Sequence, residues 1–126
     1  MVVCDSNILI DFVRQKGRGL TFLEKITEKE GRKNLAISIL TVQELFAGKS
    51  VSELAVKQNL TQLISSFDVY PYTYEVAQLG GEIARNNPVA FVDGAIAATA
   101  IVNGVQLATL NSKDFMGIKG LEIYKI

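Results

Sequence analysis

The sequence predicts an α/β fold for residues 1–126: one domain with a parallel β-sheet flanked by α-helices. Three observations predict it. Short apolar runs rich in β-branched residues alternate with stretches of helical periodicity, the pattern of strands joined by crossover helices. One late helical stretch, Asp93-Gly-Ala-Ile-Ala-Ala-Thr-Ala, is built almost wholly of small residues, which suits close packing on a sheet. The length of 126 residues is that of one domain able to bury a core without disulfides or a structural metal.

The elements follow in order. Val2, Val3 and Cys4 form a first strand, and Asp5-Ser6 are helix-starting residues. Ile8, Leu9, Phe12 and Val13 then recur at helical spacing, up to the stop signals Gly17 and Gly19. A second helix is expected over 20–30, with Phe22, Leu23 and Ile26 on one face. Residues 35–40 read as a second strand, followed by Thr41 and, three residues on, Glu44. Ser50-Val-Ser-Glu53 has the form of a capping box, and Leu60, Leu63, Ile64 and Phe67 mark an amphipathic helix after it. Residues 69–72 make a third strand shortened by Pro71, and Val76, Leu79 and Ile83 mark a helix that ends at Asn86-Asn87-Pro88. Asp93 opens the small-residue helix, which stops at Asn103-Gly104. Two more strands, 105–109 and 121–124, flank the polar turn Asn111-Ser112-Lys113-Asp114.

Composition narrows the chemistry. Without a single His, the chain cannot build Ser-His-Asp or Cys-His nucleophiles, a His general base or a His-bound zinc. Carboxylates, hydroxyls, amines and hard metals remain. The lone Cys4 has no partner for an internal disulfide, the opening residues lack the basic start of a signal peptide, and the longest apolar stretch, 95–102, is too short to span a bilayer. A cytoplasmic protein with no membrane association is therefore expected. Thirteen basic side chains balance thirteen acidic ones, and a pI near 6.3 argues against a broadly basic nucleic-acid surface. Arg14, Lys16 and Arg18, like Lys29, Arg32 and Lys33, form short basic groups that read first as solvated faces.

Four acids stand where the outline places strand ends or the helices leaving them: Asp5, Glu44, Asp93 and Asp114. Ligands of an open parallel sheet bind at that edge. Each acid also has a local role open to it: Asp5 as a cap, Glu44 in a Thr41-x-x-Glu44 capping box, Asp93 at a helix dipole, Asp114 in a turn. Carboxylates gathered in one pocket repel one another unless a cation joins them, and oxygen-only ligation points to Mg²⁺ or Mn²⁺.

Val-Val-Cys-Asp5-Ser6-Asn7-Ile-Leu-Ile-Asp11, Thr-Val-Gln-Glu44-Leu, Asp93-Gly-Ala-Ile-Ala-Ala-Thr-Ala and Thr109-Leu-Asn111-Ser-Lys-Asp114-Phe115 together resemble the PIN domain, and within it the VapC-type toxins. The likeness covers almost the whole chain. It implies an Mg²⁺- or Mn²⁺-dependent endoribonuclease, the toxin of a toxin-antitoxin pair, held inactive by a VapB-like antitoxin and forming a homodimer. Asp5, Glu44, Asp93 and Asp114 match the family's metal-binding acids, Asp114 with the weaker role. Ser6 and Asn111 match supporting polar positions, while Asn7 and Asp11 are expected to stabilise the first turns of the opening helix. Gly94 stands where similar sequences more often carry Ala, and the stretch 85–93 is compact where they often carry a Gly after the Arg.

The chemistry so implied is hydrolysis of an RNA phosphodiester by a metal-activated water, without a covalent nucleophile. Removing the four site acids from the count leaves nine acidic side chains facing thirteen basic ones, so the metal-loaded surface would favour a polyanion. Arg14, Lys16 and Arg18 are the candidates for RNA backbone contacts. The antitoxin is expected to bury an apolar groove and to set a cationic side chain near the carboxylates. Competing readings are a PIN-domain nuclease acting on DNA or in RNA processing outside a toxin system, and a non-catalytic PIN-like interaction module. A phosphoacceptor receiver domain fits poorly, because Asp5 lacks an acidic neighbour and Lys113 precedes Asp114 rather than a Pro.

Overall fold

The computed structural model describes residues 1–15 and 19–126. Strands β1 (Val2–Cys4), β2 (Leu35–Ser38), β3 (Asp68–Tyr70) and β4 (Gln106–Ala108) form one sheet in the order β3-β2-β1-β4. Every pairing is parallel, with Val2 opposite Leu35 and Gln106, and Ala36 opposite Asp68. The chain builds outward from β1 to β3, then returns to lay β4 on the other side of β1. The strand order therefore reverses between β1 and β4, the place where open α/β sheets hold ligands.

Side chains alternate across the sheet and meet two helical layers. On one face Val2, Cys4, Leu35 and Ile37 pack with α1 (Ser6–Gln15), α2 (Phe22–Glu30), α3 (Ile39–Phe46) and α4 (Leu54–Ile64) through Ile8, Leu9, Leu23, Ile26, Leu45 and Leu60. On the other, Val3, Ala36 and Leu107 pack with α5 (Tyr74–Asn86), α6 (Phe91–Val102) and α7 (Ser112–Phe115) through Val76, Ile83, Ile96 and Phe115. Burial is complete at Ile8, Leu9, Ile37 and Ile96, each contributing about 1.5 to 3 kcal/mol to the folded state.

Several elements differ from the sequence expectation, each for a local reason. The second strand ends at Ser38, whose hydroxyl accepts from the Leu40 N–H and starts α3 two residues before the expected end of the run. Thr41 is thus inside α3, fully buried, and forms no capping box with Glu44. Its hydroxyl has no hydrogen-bond partner among the described residues, whereas Thr27, Thr61 and Thr99 each donate to the carbonyl four residues back. Ser50, Val51 and Ser52 lie in a 3-10 turn, Lys49–Ser52, and Glu53 follows it at the start of α4 with no side-chain cap; Phe67 falls beyond α4 but is buried. The capping box that does form joins Thr21 and Glu24 at the start of α2. Phe22 is exposed rather than on the buried face.

Residues 121–124 make a single bridge, Leu107 with Ile123, instead of a fifth strand. The segment is anchored by Tyr124, whose N–H donates to the Leu107 carbonyl at 2.8 Å and whose hydroxyl donates to Glu30 at 2.8 Å. Asp93 is the third residue of α6, which begins at Phe91. Gly94 serves close packing: a Cβ there would lie 3.2 Å from the Gly80 carbonyl of α5. Among the described residues no helix is long and apolar enough to cross a membrane.

Candidate active site

Asp5 follows β1 directly and is only 5% exposed. Its Oδ1 accepts from the Ser6 N–H at 2.8 Å, so it does meet the start of α1; its Oδ2 instead reaches across the strand-order reversal to the Thr109 hydroxyl at 2.9 Å. Burial pushes the Asp5 carboxyl above the usual carboxylate range, the Thr109 and Ser6 hydrogen bonds pull it back, and the Asp114 charge adds to the rise.

The other three acids surround this group at increasing exposure. Asp93 on α6 is half-buried, while Glu44 on α3 and Asp114 on α7 remain exposed. Partial burial raises the Glu44 carboxyl, the Asp5 charge raises it further, a Ser6 hydrogen bond opposes both, and Asp93 adds to the rise. Burial likewise raises Asp93, with Asp5 and Asp114 adding to it. The fold has brought together four acids from four separate elements, and the charges acting on Asp5, Glu44 and Asp93 are other carboxylates.

Ser6, expected as a support, sits beside both acids: its hydroxyl lies 3.4 Å from Asp5 Oδ1, and its presence near Glu44 holds that carboxyl's pKa down. Asn111 contributes through its backbone, donating its N–H to the Thr109 hydroxyl at 3.1 Å. Arg14 is exposed at the last turn of α1. Lys16 and Arg18 lie outside the described residues.

Asn7 does more than steady the first turn of α1. Its amide donates to Asp5 Oδ2 at 3.3 Å and to the Thr109 hydroxyl at 3.2 Å, and its carbonyl accepts from the Leu110 N–H at 3.2 Å. Asp11 accepts from the Phe22 N–H at 3.3 Å and so ties α1 to the start of α2. Thr109 is the site residue the sequence reading leaves without a role. A hydroxyl directly after an apolar run, at the same sheet edge as Asp5, was the available signal.

An oxygen-only set suits a hard cation such as Mg²⁺ or Mn²⁺. A buried carboxylate pressed by like charges also calls for a positive counterpart. Among the described residues no three of these carboxylates are close enough to enclose an ion by themselves. Mg²⁺ retains several waters and needs only one or two carboxylates, so a partly hydrated ion fits the donors present.

A parallel sheet with carboxylates gathered at its reversal point defines an α/β protein with an acidic site at the sheet edge. The chain belongs to the PIN domain family, whose model matches residues 2–119. It is 34% identical over 116 residues to Ribonuclease VapC10 of Mycobacterium tuberculosis, covering 88% of this chain and 83% of that protein. Ribonuclease VapC19 of the same organism is 32% identical over 120 residues, covering 91% and 92%. Among solved structures, a toxin-antitoxin complex from Klebsiella pneumoniae superposes with a TM-score of 0.78 at 25% identity, covering all of both chains. The DNA-bound VapBC of Salmonella typhimurium gives 0.77 at 26% identity, covering 98% of this chain and 96% of the other.

Proposed function

We propose that this chain is a metal-dependent endoribonuclease, the toxin component of a VapBC-type toxin-antitoxin system in the cytoplasm. The observation that carries the reading is the four-acid cluster, whose mutual repulsion leaves it short of positive charge at a sheet edge suited to ligands. Kinship to two proteins named Ribonuclease VapC supports RNA as the substrate.

Asp5, Glu44 and Asp93, with Asp114 at the rim, would hold Mg²⁺ or Mn²⁺. When bound, such an ion supplies a water of lowered pKa and offsets charge on the phosphate. Ser6 orients Asp5 and Glu44 together, while Thr109 and Asn111 hold the β4 exit beside Asp5. Arg14, and Lys16 and Arg18 beyond it, are the candidates for contacts with the RNA backbone.

A groove of about 490 Å³ runs between α1, α3 and α4, lined by Ile10, Val13, Leu45, Val56 and Leu63, with Arg14 and Glu44 among its polar residues. It suits the apolar face of an antitoxin helix, with a cationic side chain directed at Glu44 and its neighbours. Neighbours described as toxin-antitoxin complexes support such a partner. A homodimer belongs to the same reading, and sedimentation of the purified chain tests it.

Cleavage of total RNA by the purified chain with Mn²⁺ or Mg²⁺ tests the activity, beside EDTA and Asp5→Asn controls. The expected result is discrete cut sites that disappear in EDTA and weaken on the order of 100-fold or more in Asp5→Asn. Cleavage that survives both controls would refute the assignment.

A further inference from the structure

We infer that Asn7 is a positioning residue for Asp5, acting with Thr109 as a clamp on Oδ2 that holds the carboxylate in the orientation in which it would meet a cation. The cation half of this inference rests on the function proposed above; the clamp rests on geometry alone.

A threonine hydroxyl offers one donor and two acceptor positions. Thr109 uses all three: it donates to Asp5 Oδ2 and accepts from the Asn7 amide and the Asn111 N–H. Asn7 spends its two amide hydrogens on Asp5 Oδ2 and Thr109, and its carbonyl on the Leu110 N–H. Oδ2 of Asp5 thus receives two donors. Oδ1 receives the Ser6 N–H at 2.8 Å and the Ser6 hydroxyl at 3.4 Å. Both oxygens of Asp5 are therefore held, Oδ1 by Ser6 and Oδ2 by Asn7 and Thr109.

The clamp also spans the strand-order reversal. Asn7 belongs to the first turn of α1, whereas Thr109, Leu110 and Asn111 follow β4 and lead into the helix that carries Asp114. One amide therefore fixes both the rotamer of Asp5 and the path of the segment bearing the fourth acid. Partners that orient a ligating carboxylate affect metal affinity through it, by roughly 10- to 100-fold when removed.

The test uses the full chain and Mn²⁺ alone, titrated by calorimetry, together with amide exchange of the metal-free protein. Asn7→Ala and Thr109→Val should each weaken Mn²⁺ binding by roughly 10- to 100-fold, and Thr109→Ser should stay close to the parent. Because the two residues share a hydrogen bond, the double variant should lose less than the two single losses combined. In the metal-free protein, Asn7→Ala should also accelerate exchange at the Leu110 and Asn111 amides. Folded Asn7→Ala with unchanged Mn²⁺ affinity would overturn the positioning role. Should Thr109→Val fail to fold, Asn7→Ala alone decides. A parent chain that binds no Mn²⁺ would remove the metal reading, and the clamp would then stand or fall on exchange at Leu110: unchanged protection in Asn7→Ala overturns it.

Discussion

The two helical layers solve the same packing problem in opposite ways. On the α5 and α6 side, Gly80 and Gly94 let the two backbones approach until a Cβ would touch, and Ile96 to Ala100 are fully buried beneath. On the α1, α3 and α4 side, larger side chains hold the helices apart, and a groove opens beside Glu44. Small residues close a layer and large ones leave a cleft. The acids stand where the two layers meet at the edge of the sheet, with Asp93 from the closed layer and Glu44 from the open one.

The largest contrast should come from truncation. Ile96→Ala in the closed layer should cost about 3 to 4 kcal/mol, since its neighbours have no slack to fill the hole. Leu63→Ala, in the wall of the groove and only half-buried, should cost about 1 kcal/mol, because much of its surface already faces solvent. Urea unfolding measures both, and equal losses would erase the distinction between the layers.

Insertion should give a smaller effect of the same sense. Gly94→Val has the Gly80 carbonyl in its way and should lose about 2 kcal/mol. On the outer surface of α5, Gly81→Ala meets nothing within 4 Å and should gain about 0.5 to 1 kcal/mol from helix propensity. Thermal melts of the pair check this, and a neutral Gly94→Val would show that the closed layer is softer than its glycines suggest.

The gentlest probe is pH, read at the boundary between the layers. Asp5, Glu44 and Asp93 have raised pKa values, so between the ordinary carboxylate range, near 4, and those raised values the native state binds more protons than the unfolded chain. Metal-free stability should therefore fall as pH rises through that window and level off above it. Asp5→Asn should shallow the slope, and Mn²⁺ should stabilise the parent chain more at pH 7 than at pH 4. A metal-free melting temperature that climbs through the same window would contradict the charge arrangement.

Much of the fold could be read from local pattern. Val2–Cys4, the helix through Ile8 and Leu9, and the stop at Gly104 with its φ of +66° follow from β-branching, helical spacing and a glycine that tolerates the left-handed region. Capping was less legible. Thr-x-x-Glu occurs at 21–24, 27–30 and 41–44, yet only the first becomes a box, because Thr27 already lies inside α2 and Ser38 at the end of β2 starts its helix early and carries Thr41 inside. The last apolar run was also ambiguous: Ile123 meets Leu107 at one bridge only, with the Glu122 carbonyl and the Tyr124 N–H both bonded to Leu107 and the Tyr124 hydroxyl donating to Glu30 of α2.

The sequence by itself determined the donor chemistry: no His, four acids at the ends of apolar runs, and therefore oxygen ligation or none. Only the tertiary structure decided how those acids are held. Asn7 and Thr109 stand 102 residues apart, and nothing local to either predicts their hydrogen bond. It exists because β4 returns to lie beside β1, placing the exit of one strand against the first turn of helix after the other. Local pattern reports which groups a chain carries, while pairing between distant strands sets which of them meet and how a buried carboxylate is held.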